Sequence, residues 1–181
     1  MDIAQYNKPH PLRELVAEEV AMRAAMLVFE DVLMKMGALS MPEPQTPYLR
    51  KSLIYRVVQT LVEFAQGSPV QMSLDVLLAG LTPIYRSARH PLTFALDVEA
   101  AEPHDELGLA VMGAMARHRL IKGHPLSCCE LAILMGRNKD HVTALAAAGE
   151  IPGAYRDETI SKHKPWRFRV SEALKDLIDN A

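Results

Sequence analysis

The stretch LSCCELAILMGRNKDHVTALAAAGEIPG, residues 126–153, carries the densest local instructions in the chain. Ser127 followed three residues later by Glu130 is a capping box, in which the hydroxyl accepts from one orphan amide of a first helical turn and the carboxylate accepts from another. A short helix is therefore expected from Cys128, with Leu131, Ala132 and Leu134 facing inward. Gly136 permits a tight turn because it lacks Cβ. Asn138 can cap a second helix that runs to about Ala148 and stops at Gly149. Two short helices joined by three or four residues, the second buried through Val142 and Leu145, have helix-turn-helix geometry, whose second helix can enter a major groove.

The residues that follow extend the motif. After Ile151 and Pro152, the segment Ala154, Tyr155 and Arg156 is separated by a polar loop from Trp166, Arg167, Phe168 and Arg169, which alternate apolar and basic with the period of a strand. The pair reads as a two-stranded hairpin, or wing, with Trp166 and Phe168 seated on the helices. Arg167 and Arg169 are then expected to point outward beside Arg156, Lys162 and Lys164, a placement suited to phosphate oxygens. Ser171 can cap a last helix, in which Ala173, Leu174, Leu177 and Ile178 close a small core.

Leu126-Ser127, Glu130-Leu131-Ala132, Gly136, Val142, Leu145, Gly149 to Pro152, Trp166 to Phe168 and Ser171, in this order, resemble the excisionase/MerR-type winged helix-turn-helix. The resemblance covers roughly the last 55 residues. It implies a DNA-binding module of the kind found in phage excisionases, in plasmid and phage regulators and at the DNA-binding ends of MerR-like activators. The sequence departs from the pattern at Arg137, where the family usually carries an apolar residue. Ala144 and Ala147 stand where basic or polar groups are frequent. Asn138, which opens the second helix, and Lys139, His141 and Thr143 within it are the candidate DNA-binding side chains there, and since these are few, more of the affinity is expected from the wing. The loop from Asp157 to Pro165 is longer than a tight wing turn. Its Asp157 and Glu158 would repel a phosphate backbone and are expected to point away from it.

Upstream, proline and glycine divide the chain into helices. Leu12 to Met36, between Pro11 and Gly37, reads as one. Tyr48 to Gln66 reads as another, with Leu49, Leu53, Ile54, Val57, Val58, Leu61, Val62 and Ala65 on one face and Arg50, Lys51, Arg56, Gln59 and Glu63 on the other. Ser73 to Gly80 is a candidate capped helix. Pro83 to Ala101, interrupted by Pro91, is ambiguous between irregular chain and short helices. Asp105 to Ile121 is helical again, with Leu107, Val111, Met112, Met115 and Ala116 at core spacing. Lys122, Gly123, His124 and Pro125 then break the pattern. The expected organisation is mainly α, with a helical domain at residues 1–121 for oligomerisation or regulation and a winged helix-turn-helix at residues 122–181.

The 181 residues are 49% hydrophobic and 23% charged, enough for one sizeable core or two small ones. Lys+Arg number 20 against 22 Asp+Glu, so no global charge excess demands nucleic acid or an anionic membrane, and any basic surface is local. Tyr155 to Arg169 supplies one: Arg156, Lys162, Lys164, Arg167 and Arg169 outnumber Asp157 and Glu158. Adjacent Cys128 and Cys129 cannot build a disulfide framework and point to a reducing compartment, the cytoplasm. No signal peptide or membrane span is evident.

Cys128, Cys129, His118 and His124 could suggest a metal, but neighbouring helical positions diverge by about 100°, and small core residues are the simpler reading. The methionines Met22, Met26, Met34, Met36, Met112 and Met115 read as core packing. Glu14, Glu18 and Glu19 read as a solvated first turn, and Arg86, Arg89 and His90 are too scattered for a phosphate site. No phosphate loop, paired carboxylates or nucleophile with a base is visible, so neither an enzyme nor a cofactor is expected. The expectation is a sequence-specific regulator of transcription that binds double-stranded DNA as a homodimer. The alternatives are an excisionase-like architectural factor in recombination or replication and a winged-helix protein-interaction adaptor.

Overall fold

The computed structural model describes residues 12–36, 46–82, 106–159 and 165–181. Among these the chain is mainly helical with a small antiparallel sheet near its C-terminal end. A single turn of 3-10 helix, Leu12–Glu14, precedes α1 (Ala17–Lys35). The predicted continuous helix from Leu12 is thus interrupted around Val16, whose extended backbone starts α1 without a side-chain cap. The predicted helix from Tyr48 is likewise two, α2 (Thr46–Lys51) and α3 (Leu53–Ala65). Ser52 separates them because it takes an extended backbone and its hydroxyl accepts from the Tyr55 amide, which turns a residue inside the apolar pattern into an N-cap. The break leaves Leu53, expected on the core face, 72% exposed. Next come α4 (Leu74–Gly80), capped by Ser73 as expected, and α5 (Glu106–Lys122). The ambiguous segment between Pro83 and Ala101 lies outside the described residues, as do Arg86, Arg89 and His90.

The last third forms β1 (Leu126–Ser127), α6 (Cys128–Met135), α7 (Lys139–Ala148), β2 (Ala154–Arg156), β3 (Trp166–Phe168) and α8 (Glu172–Asp179). The sheet is three-stranded rather than a two-stranded wing. β3 lies between β1 and β2 and is antiparallel to both, with Phe168 opposite Leu126 on one side and Ala154 on the other. Leu126 and Ser127 therefore serve twice, as an edge strand and as the lead into α6. The capping box is complete: the Ser127 hydroxyl accepts from the Glu130 amide, and the Glu130 carboxylate accepts from the Ser127 amide at 2.8 Å.

Buried side chains form two clusters that share helices. The first gathers Leu12 with residues of α1, α3, α4 and α5, and the second gathers residues of β1, α6, α7, β3 and α8. α5 enters the first through Leu107 to Ala114 and the second through Ala116 and Leu120. α6 does the same in reverse. Leu131 to Met135 are all buried, Ile133 in the first cluster and its neighbours in the second, because a helix apolar on every side must be covered on every side.

Polar ties run along the same seam. The buried Glu130 carboxylate of α6 lies 3.4 Å from the Arg119 guanidinium of α5. Arg13, before α1, donates to the carbonyls of Ile178 (2.6 Å) and Ala181 (2.9 Å) and so satisfies the C-terminal end of α8. Arg117 of α5 lies 3.9 Å from Asp179. Burial pulls its guanidinium below the ordinary arginine range, and Asp179 opposes the shift.

In α8, Leu174 and Ile178 are fully buried and Leu177 is half-buried, whereas Ala173, expected in the core, faces solvent.

Candidate nucleic-acid interface

The turn between α6 and α7 is built by local chemistry. Gly136 ends α6 with a φ of 61°, and its amide together with that of Arg137 returns to the carbonyls of Ile133 and Ala132. Asn138 then caps α7, its side-chain oxygen accepting from the Asp140 amide at 2.7 Å. Asn138 is thus committed to starting the helix. Val142 and Ala146 are buried and fasten α7 to the second cluster. Its exposed side chains are Lys139, Asp140, His141, Ala144, Ala147 and Ala148. Thr143, predicted to face bases, is half-buried. Its hydroxyl lies 2.9 Å from the Lys139 carbonyl and 3.7 Å from Cys128 Sγ, which turns it toward α6.

The sheet distributes its arginines by register. Opposed residues of antiparallel strands share a face, so Phe168, Leu126 and Ala154 lie on the core side together with the opposed pair Arg156 and Trp166. Ser127, Tyr155 and Arg167 lie on the other side with Arg169. Exposed Arg156 stacks on Trp166, 4.1 Å from the ring centroid, and exposed Arg169 stacks on Tyr155 at 4.9 Å. Arg167 does not project into solvent as the alternation predicts. Its side chain is only 12% exposed and lies 3.8 Å from Asp157. Asp157 accepts from the Thr159 hydroxyl and amide, at 2.6 and 2.9 Å, and these bonds hold its carboxyl below the usual carboxylate range, with Arg167 adding to the effect. Lys162 and Lys164 lie outside the described residues.

Gly153 sits at the base of the hairpin in a left-handed conformation, φ 73°, where its carbonyl accepts from the Arg169 amide. A Cβ there would lie 2.7 Å from the Arg169 carbonyl oxygen, so only glycine fits without moving the strand.

One juxtaposition joins the helix to the sheet. Cys128, the first residue of α6, is half-buried, and burial pushes its thiol up from the ordinary range. The Thr143 hydroxyl and the positive charges of Lys139, Arg156 and Arg167 all act on it in the opposite sense. Thr143 of α7 therefore meets the start of α6 at Cys128, next to Ser127, whose opposed partner in the sheet is Arg167. The rings under Arg156 and Arg169 and the carboxylate beside Arg167 are site features that sequence reasoning missed. Strand register would have revealed them, and register is a long-range property.

Among the described residues, no group of three or more His, Cys, Asp and Glu side chains is placed to hold a metal ion. No helix among them is long and apolar enough to cross a membrane. Comparison with protein-family models, with curated proteins and with solved structures finds no match.

Proposed function

We propose that this protein binds duplex DNA in a sequence-dependent manner and regulates transcription as a cytoplasmic homodimer, through a winged helix-turn-helix of the excisionase/MerR type. The observation that supports the reading is that α7 and the sheet meet at the start of α6, where Thr143 lies 3.7 Å from Cys128 Sγ and Ser127 pairs with Arg167, so that a helix carrying exposed Lys139 and His141 adjoins a strand hairpin carrying exposed Arg156 and Arg169. In this reading α7 lies in the major groove, with Lys139 and His141 toward the bases. Asn138 and Thr143 shape the helix rather than read from it. Arg156, Arg169, Lys162 and Lys164 hold phosphates, and Arg167 supports them from within the sheet. The methyl groups of Ala144 and Ala147 allow close approach and suit thymine methyls. The homodimer is supported by the C-terminal half of α1 and its capping residue, where Val32, Met34 and Met36 are exposed rather than in the core. A pair of modules reads two half-sites with a large gain in effective concentration.

A second reading draws on the small number of cations on α7 and on the Asp157 partner of Arg167: a protein-interaction adaptor that presents Arg156 and Arg169 to an acidic partner. Selection from a random duplex library at two salt concentrations separates the two. The DNA reading expects an inverted repeat, binding whose logarithmic salt slope falls by about 1 in Arg169→Ala, and altered base preference in His141→Ala. Negligible binding at low salt would sink it in favour of the adaptor. Binding at many adjacent sites with induced bending would point instead to an architectural factor in recombination or replication.

A further inference from the structure

We infer that Arg137, in the turn between α6 and α7, is a phosphodiester-binding residue that sets the register of α7 on the duplex. The inference rests on the DNA reading and adds to it a backbone contact at the end of the helix, apart from the wing.

Two observations carry it: a fixed place and an uncommitted guanidinium. The Arg137 amide donates to the Ala132 carbonyl at 2.9 Å, directly after left-handed Gly136, and Asn138 caps α7 at the next position. The Arg137 backbone is thus held between the end of one helix and the start of the other, no more than about 7 Å from the Cα of Lys139. Its side chain is exposed and belongs to neither apolar cluster. Elsewhere on the described surface arginines are engaged: Arg23 with Glu106, Arg50 with Glu18, Arg119 with Glu130 and Arg167 with Asp157. Among the described residues the Arg137 side chain has no hydrogen bond, ion pair or ring contact, and Asp140, the acid in the first turn of α7, does not pair with it.

The chemistry called for at this place is that of a groove edge. A helix of about 10–12 Å diameter fills a major groove about 12 Å wide, so when its first turn meets base edges, the residue ahead of its cap stands level with the phosphates that bound the groove. A guanidinium there offers two parallel donors to the oxygens of one phosphate, whereas an ammonium acts only as a point charge. The contact carries no sequence information by itself. With exposed Lys139 and His141 close behind it on the same turn, it fixes which base pair each of them meets. A role confined to the carbonyl end of α6 would show in unfolding rather than in binding.

The test uses the full chain and a duplex recovered by selection, titrated at several salt concentrations. Arg137→Ala is expected to unfold within about 2 °C of the parent protein, as an exposed substitution should. It should weaken binding about tenfold at low salt, to the selected duplex and to a random one alike, and lower the logarithmic salt slope by about 1. Arg137→Lys should keep the slope and recover most of the affinity. The decisive readout is a scan of duplexes in which one phosphate at a time is a neutral methylphosphonate. One position per half-site should weaken the parent protein as much as Arg137→Ala does and leave that variant unaffected, because both changes remove the same contact.

Parent-like affinity and slope in Arg137→Ala, equal methylphosphonate losses in parent and variant, or an altered base preference in the variant would each overturn the inference while leaving the DNA reading intact. A binding loss that follows a lowered unfolding midpoint would overturn it in favour of a structural role at the end of α6. If the parent protein shows no salt-dependent duplex binding, the DNA reading fails and the phosphate contact fails with it.

Discussion

The helices before residue 122 and the module after it follow different rules. In the module, α6, α7 and α8 each begin with a side-chain cap, from Ser127, Asn138 and Ser171, and α6 and α7 end on left-handed glycines. Start and stop are specified within a few residues of each end. In the first region Ser52 and Ser73 cap the starts of α3 and α4 in the same way, but α1 starts at Val16 without a side-chain cap, and α1, α3 and α4 end on right-handed Met36, Gln66 and Leu81. The difference therefore lies in the start of α1 and in the residues that cap the C-terminal ends of α1, α3 and α4, none of which is a left-handed glycine. Local hydrogen-bond chemistry specifies both ends of α6 and α7, whereas a 19-residue helix such as α1 draws most of its stability from packing along its length.

The comparison breaks down if the two regions unfold apart. The shared packing of α5 and α6 argues that they do not, and the largest expected effect tests it. Phe168→Ala, which empties a fully buried position in the second cluster, should cost about 3–5 kcal/mol. In urea, the circular dichroism of the helices and the emission of Trp166, the one tryptophan of the chain, should shift to lower denaturant together. A shift in emission that leaves a large, unshifted helical transition would show separable units.

A smaller effect examines the tie between the chain's distant segments. Arg13→Ala removes two donors from the carbonyl end of α8 and should lower stability by about 1 kcal/mol, read as a reduced urea midpoint at unchanged slope. An unchanged midpoint would mean that the regions are joined by apolar packing alone.

The finest probe is chemical. Burial raises the Cys128 thiol above its ordinary range, so less thiolate is present at neutral pH, and iodoacetamide should alkylate Cys128 more slowly than an unstructured peptide thiol. Lys139→Ala should slow it further by removing a cation that favours the thiolate. The sign for stability follows: the folded state retains this proton longer than the unfolded chain, so the contribution is complete below the ordinary thiol range and is lost as pH rises through the raised value. Faster alkylation in Lys139→Ala would separate α7 from the cluster of charges around Cys128.

The two regions were also unequally legible. The Ser127–Glu130 box, Gly136, Asn138, Gly149 and Ser171 announce their helices because each partner lies within four residues. Ser52 was masked by its neighbours: Leu49 and Leu53 keep the spacing of one helix, and only the extended backbone at Ser52 shows that they belong to two. Leu126–Ser127 was legible as a cap but not as a strand, since its partner Phe168 is remote in sequence. Arg167 was assigned to solvent by alternation, yet alternation predicts the face and not the cover, and Asp157 closes over it.

What the amino-acid sequence determined by itself is the order of the three helices and the hairpin after residue 122, the caps that delimit those helices and the local excess of positive charge between Tyr155 and Arg169. These depend on neighbours along the chain, whose proximity is guaranteed by the covalent backbone. Tertiary structure alone decided that α5 and α6 belong to both cores, that β3 is the centre of a three-stranded sheet, and that two arginines stack on rings while a third meets a carboxylate. Each of these requires residues distant along the chain to meet in one register, and that register is chosen by burial of the whole apolar surface, to which no short stretch of sequence has access.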